Sequence, residues 1–158
     1  MKPRIIETCY KLNFPIERVF RYHTNFSLLS FLSTSNFKLT NLSRIPTLEG
    51  ENFEGSLEPY GFFKGKCLKN ITNRSHKKLK TELTLKQMTL VISKTFYRIQ
   101  ETNFTLLYIK IKIFIDPKYE SDPTLDLNAI KEDLKKNSCA LVKEAVRALN
   151  NSSLFLQE

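Results

Sequence analysis

The sequence predicts an α+β chain: a curved antiparallel sheet of seven strands wrapped around one long C-terminal helix, with two short helices after the first strand. Three observations lead there. Seven segments in the first 115 residues read as strands, and three of them, 4–14, 76–86 and 103–115, alternate apolar and polar side chains cleanly. A single long amphipathic stretch follows, at about residues 123–149. Between the first strand and the rest, "CYKLNFPIERVFRYHTNF" changes from a period of two to a helical period within one residue.

Residues 4–14 place Ile6, Thr8, Tyr10, Leu12 and Phe14 on one face and Glu7, Cys9 and Lys11 on the other, as in a half-buried strand. Pro15 then favours extended geometry before it and a first helical turn at its own position. Ile16, Val19, Phe20 and His23 recur at helical spacing. Asn25 interrupts this helix, and Phe26, Leu28, Leu29, Phe31 and Leu32 mark a second short one. Strands are predicted over 37–45, 51–58, 62–71, 76–86, 89–100 and 103–115. Their short connections make hairpins, so neighbours run antiparallel. Asp116-Pro117 ends the sheet, and Asp122-Pro123 opens the long helix. Its stripe contains Leu127, Ile130, Leu134, Leu141, Ala145 and Leu149. Seven antiparallel strands with one apolar face need that face covered. Only the last helix is long enough, so the sheet is expected to grip it while the short helices plug one end.

At 158 residues the chain is expected to form one domain, 1–158, frayed at 1–2 and 151–158. Cys9, Cys67 and Cys139 are odd in number and far apart. They are read as reduced, mostly buried thiols of a cytoplasmic protein rather than a zinc or redox motif. No run of about 18 apolar residues spans a membrane. None of the common nucleotide, metalloprotease or hydrolase motifs occurs. The net charge of +9 favours acidic partners or plain solubility. Lys64, Lys66, Lys69, Arg74, Lys77, Lys78, Lys80 and Lys86 fall in two neighbouring strands and their loop. This stripe, with Lys64, Lys66, Lys77, Lys78 and Lys80 at its centre, is a candidate surface for an anionic partner. An anionic membrane surface fits it. Nucleic acid fits less well, because its readers interleave exposed aromatic rings for stacking. A solvated face, with lysines guarding strand edges, is the plainer reading.

The element order resembles the helix-grip superfamily: START lipid-transfer domains, Bet v 1-like pollen allergens, polyketide cyclases and coenzyme-Q-binding proteins. The residues that carry it are "ETCYKLNFPIERVFRYHTNF", similar to the family's first strand and proline-started helix, and "GENFEGSLEPYGFFKGK", similar to its glycine-marked strands. The family's tryptophan after the second helix is absent, with Phe31 or Phe37 standing in for it. Its glycine-rich loop is absent too, as the chain has only 4 glycines.

The resemblance implies a cavity between sheet and helix that binds, carries or sequesters a hydrophobic small molecule such as a fatty acid, isoprenoid or other lipid. Side chains expected to line it are Tyr10, Leu12, Phe63, Leu83, Val91, Leu107, Ile109 and Ile111 from strands, and Leu134, Leu141 and Ala145 from the helix. A packed core is the alternative for any one of them. Polar positions on the same expected faces are Thr81, Ser93, Thr95 and Tyr97, with Asn137 and Ser138 on the helix. Phe20 and His23 lie near the expected gate, and access is expected to need movement of the short helices or of the loop near 59–62. No catalytic residue, cofactor or metal is implied, and the expected state is a monomer or weak dimer. The other readings are an interaction protein that binds RNA, the ribosome or an acidic partner through the lysines, and, least supported, a cyclase- or isomerase-type enzyme.

Overall fold

The computed structural model describes residues 2–25, 38–44, 48–99 and 103–151. Its elements are β1 (Arg4–Leu12), α1 (Ile16–Asn25), β2 (Lys38–Thr40), β3 (Asn52–Glu58), β4 (Gly61–Thr72), β5 (His76–Thr84), β6 (Met88–Arg98), β7 (Thr105–Ile115), a 3-10 turn at Pro117–Tyr119 and α2 (Leu127–Asn151). The seven strands form one antiparallel sheet in the order β1-β7-β6-β5-β4-β3-β2. This is the helix-grip fold that the sequence predicts. The second short helix expected at 26–32, with Phe31 and Phe37, lies outside the described residues, as does the end beyond Asn151.

Most boundaries fall within two residues of expectation, and two differ by more, each for a local reason. The strand expected over 37–45 is paired only at Lys38–Thr40. Asn41 takes a φ of 55°, a left-handed conformation that asparagine tolerates and a strand does not. The long helix begins at Leu127 rather than Pro123. Asp122 instead closes a tight turn, its carboxylate accepting from the Thr124 amide at 2.9 Å and the Thr124 hydroxyl at 2.7 Å. Asp126 is the true cap, accepting from the Ala129 amide at 3.1 Å.

At the β3–β4 hairpin, Phe53 lies opposite Gly65 and Phe63 opposite Gly55. A Cβ at Gly65 would overlap the Phe53 ring, and one at Gly55 would sit 3.0 Å from the Phe63 ring. The two rings meet edge to face at 5.9 Å because the glycines leave them that room. Further along β4, the pairing with β5 shifts register between Cys67 and Lys69. This bulge bends the strand and exchanges its faces, so that Asn70 turns inward and Lys69 outward.

The switch from strand to helix at Phe14-Pro15 is fastened from a distant part of the chain, the start of β7. The Thr105 hydroxyl, fully buried, donates to the Phe14 carbonyl at 2.7 Å. The Pro15 carbonyl then accepts from the Arg18 and Val19 amides, which starts α1. Ile16, Val19, Tyr22 and His23 form the buried face of α1. Arg18 donates to the Leu149 carbonyl at 3.2 Å, tying α1 to the last turn of α2, and Arg98 pairs with Glu17 at 2.6 Å. Replacing Thr105 by Val keeps the shape but strands the Phe14 carbonyl. Urea denaturation should show a loss of about 1–3 kcal/mol for Thr105→Val and much less for Thr105→Ser.

Candidate functional site

The inner face of the sheet is set by strand register. Ile113, Leu90 and Leu83 lie side by side in one cross-strand row; Ile6, Ile111, Ile92 and Thr81 form the next. The third row runs Thr8, Ile109, Lys94, Leu79 and Asn70, and the fourth Tyr10, Leu107, Phe96, Lys77 and Thr72. Leu134, Asn137, Ser138, Leu141 and Ala145 of α2 are all buried against this face. The interior is therefore apolar toward the start of α2 and polar toward α1.

Lys94 is the centre of the polar part. It is 4 % exposed, and burial pushes its ammonium down to about 7. His23, from α1, is 1 % exposed and lies edge-on to Phe96 with ring centroids 5.4 Å apart. Burial first, and the Lys94 charge second, hold its imidazole well below the usual histidine range, so it is neutral. Neither His23 nitrogen has a hydrogen-bond partner, and neither polar atom of Asn137 has one. Ser138 is satisfied within the helix, donating to the Leu134 carbonyl at 3.0 Å. Lys77 lies over the Phe20 ring, its Nζ 5.5 Å from the centroid.

Of the residues expected to face the interior, Leu12, Phe63, Thr81, Leu83, Leu107, Ile109 and Ile111 are buried on the inner face, and Tyr10 is partly buried there. Phe20 packs edge to face on Phe96 at 5.2 Å. Strand β6 is the correction. Leu90, Ile92, Lys94 and Phe96 point inward, so Val91, Ser93, Thr95 and Tyr97 lie on the outer face. Thr95 is nevertheless buried there, whereas Tyr97 is 43 % exposed. Lys77 is corrected in the opposite sense. It shares the face of Leu79 and Thr81 and is buried, so it leaves the outer stripe. The sequence carried that signal, since Lys77 stands two residues before Leu79. The inward Lys94 was the site residue that the pattern did not reveal, whereas His23 was placed by its helical spacing near the expected gate.

On the outer face, Lys69, Lys80, Ser93, Lys110 and Glu7 form one row, with Lys78 and Tyr108 in the next. Lys64 and Lys66 are exposed further along β4. The Lys78 ammonium is lowered first by burial and then by the like charges of Lys80, Lys69, Lys110 and Lys112. Register thus adds Lys110 and Lys112 to the stripe. Tyr97 stacks on His76 at its edge, rings 5.2 Å apart and 10° from parallel. Cys9 is exposed, Cys139 half-buried and only Cys67 buried; all three are free thiols. No cluster of metal-ligating side chains occurs among the described residues. No helix among them is long and apolar enough to cross a membrane.

No protein-family profile and no curated protein matches the chain by sequence. Solved structures match its fold. DynU16, a putative protein of the dynemicin biosynthetic locus, superposes with a TM-score of 0.61 at 13% identity over 93% of this chain. The match covers 47% of DynU16, so this chain spans about half of that protein's length. Ara h 8.0201 matches with a TM-score of 0.63 at 10% identity, covering 95% of this chain and 99% of its own. A Thalictrum norcoclaurine synthase mutant, in complex with a transition-state analogue, matches with a TM-score of 0.52 at 10% identity over 90% of this chain and 96% of its own. The class these likenesses define is the helix-grip fold, with its Bet v 1-like and polyketide-cyclase-like variants.

Lys94 makes stability depend on pH in a definite direction. Its ammonium titrates at about 7 in the folded chain and near 10.5 when unfolded, so between these values the unfolded state binds more protons. Stability therefore rises with pH across that window, by up to about 1.4 kcal/mol per pH unit. Lys94→Met removes this contribution. Urea titrations between pH 7 and 9.5 should show wild type gaining on Lys94→Met as pH rises. Parallel curves would show that Lys94 keeps an ordinary amine.

Proposed function

We propose that this protein binds a hydrophobic small molecule between the sheet and α2, and carries or sequesters it. The observation that carries the reading is the mismatch between the inner face and its cover. Seven strands span roughly 29 Å at 4.8 Å spacing, whereas a helix is about 10 Å across. One helix lying on the sheet leaves much apolar surface to be covered by α1, by curvature or by a guest. The guest's affinity would come from apolar area leaving water, about 0.8 kcal/mol per buried methylene. A cleft lined by Pro59, Tyr60, Gln87, Thr124, Leu125 and Ile130 lies where the 59–62 loop meets the approach to α2, and supports access from that end. The norcoclaurine synthase bound to a transition-state analogue supports the fold's use for small molecules in that protein.

Native mass spectrometry of the purified protein should find a small apolar molecule bound. Leu141→Trp, which fills the interior without adding charge, should cut uptake of a fluorescent fatty-chain probe at least tenfold while circular dichroism is unchanged. Uptake by a folded Leu141→Trp equal to wild type would place the guest elsewhere.

A second reading is favoured by the outward Tyr97. The stacked Tyr97–His76 pair beside Lys78, Lys80, Lys110 and Lys112 supplies the aromatic edge that the lysine stripe lacked in the sequence. This face would bind a polyanion such as RNA. Retention on single-stranded RNA should fall steeply with salt and be lost in the Lys78→Glu/Lys80→Glu/Lys110→Glu variant, with probe uptake intact. Weak, salt-insensitive retention would leave the lysines as a solvated face. The fold also accommodates enzymes, but among the described residues no aspartate or glutamate is buried to act as a base inside.

A further inference from the structure

We propose that this protein self-associates through the outer edge of β1, two copies pairing antiparallel about Cys9 so that their sheets join. The sheet has two edges, and they are unlike. β2 is paired over three residues, Lys38–Thr40, and is followed by Asn41 at a φ of 55°. β1 runs for nine residues, Arg4–Leu12, and its pairing with β7 keeps one register throughout. Among the described residues no strand lies beyond it. Native sheets ordinarily blunt such an edge by shortness, a bulge, a proline, charge or a covering helix. Here α2 stands off from the start of β1, leaving a cleft of about 190 Å³ lined by Ile5, Ile6, Glu7, Lys131, Glu132 and Lys135. Ile5 is 42 % exposed, and Glu7, Cys9 and Lys11 are exposed on the same outer face. Charge is the device that remains on that face, and it consists of one acid and one base, which complement a second copy of the strand.

The register follows from symmetry and charge. Two strands continue one sheet only if inward residues meet inward ones, so a two-fold pair is centred on a residue rather than between two. Centring on Glu7 or Lys11 sets like charges face to face. Centring on Thr8 sets Glu7 opposite Cys9, and centring on Tyr10 sets it opposite Asn13. Centring on Cys9 sets Glu7 of each copy opposite Lys11 of the other, a favourable cross-strand match made twice. The half-buried Thr8 and Tyr10 then meet on the inner side, and the two Cys9 thiols face each other on the outer. Opposed residues of antiparallel strands have Cα atoms about 4.5–5.5 Å apart, within reach of a disulfide. Glu7 already accepts from the Tyr108 hydroxyl through Oε2, and the Lys11 Nζ lies 4.9 Å from the Phe104 ring centroid. Both contacts keep these side chains on the outer face, where the pairing needs them. The strip is short against the roughly 800 Å² per partner of a standard stable interface, so the dimer is weak. It would continue the lysine-bearing outer faces of two copies into one surface.

The test is analytical ultracentrifugation of the full chain under reductant, from micromolar to millimolar protein. Each copy carries a net charge of +9, so the runs use about 0.15 M salt, where repulsion is screened beyond roughly 8 Å. Wild type should pass from monomer to dimer across the range. Lys11→Glu should weaken dimerisation at least tenfold, and the Glu7→Lys/Lys11→Glu exchange should restore it. Diamide, which takes up the two thiol hydrogens, should link wild type into a covalent dimer, with peptide mapping finding Cys9 joined to Cys9. Cys9→Ser should give no such link and still dimerise under reductant. A wild type that stays monomeric throughout would overturn the proposal. So would dimerisation unmoved by Lys11→Glu, a loss that the charge exchange does not rescue, or a link through Cys139 instead. The mass of wild type and the position of its link are read without any variant, so the outcome does not hang on how a variant folds.

Discussion

Covering the inner face of the sheet is the constraint on which the rest of the structure depends. Ile6, Leu12, Phe63, Leu83, Leu90, Ile92, Leu107, Ile109, Ile111 and Ile113 all point to one side. Leaving them wet would expose an apolar surface several times larger than soluble proteins ordinarily carry. A helix of 25 residues is about 37 Å long, enough to cross the sheet from edge to edge. Its position is held at one end by Asp126 and at the other by Arg18 on the Leu149 carbonyl. The β4 bulge and the glycine-backed phenylalanines of β3 and β4 let the sheet curve toward it. Each local irregularity thus serves the same requirement.

The same interior contains its own contradiction. Stability alone would favour leucine or isoleucine at positions 94, 23 and 137, because buried polar groups cost free energy unless satisfied. The chain instead places an amine, an imidazole and an amide where the apolar rows give way to polar ones. Of these, both ring nitrogens of His23 and both polar atoms of Asn137 are left without a hydrogen-bond partner. Outside, separated from Lys94 by the thickness of one sheet, Lys78 is lowered first by burial and then by the neighbouring lysines of β4, β5 and β7. The chain's lysines are therefore arranged in two ways: many solvated ones on one face and two buried ones, Lys77 and Lys94, on the other.

Most of the architecture was legible because strands and helices impose their periods on apolar residues. β1, β5 and β7 alternate cleanly, and their inner faces follow directly. The strand-to-helix switch at Pro15 was legible from proline's fixed geometry. β6 was not, because "TLVISKTFYRIQ" has apolar residues at both parities and its lysine argues for the wrong one. The rule that lysines face water sends Lys94 outward and drags Val91, Ser93, Thr95 and Tyr97 inward with it. One residue that breaks the rule turned a whole strand over, and it is the residue on which the candidate site centres. The late start of α2 was hidden differently: Asp122 and Asp126 are both good caps, and only three-dimensional context decides between them.

The pairing of β1 with β7 joins positions as distant in sequence as Arg4 and Ile113. On the ribosome, at 5–20 residues per second, β1 would wait about 5–20 s for the strand that completes it. Throughout that interval Ile6 and Leu12 have no native neighbour, and the edge they belong to is open to any other unfinished chain. Contacts of such span are also slow to find in refolding, because a long loop must close first. The feature that seals the finished sheet is thus the one that leaves the nascent chain most dependent on protection by chaperones.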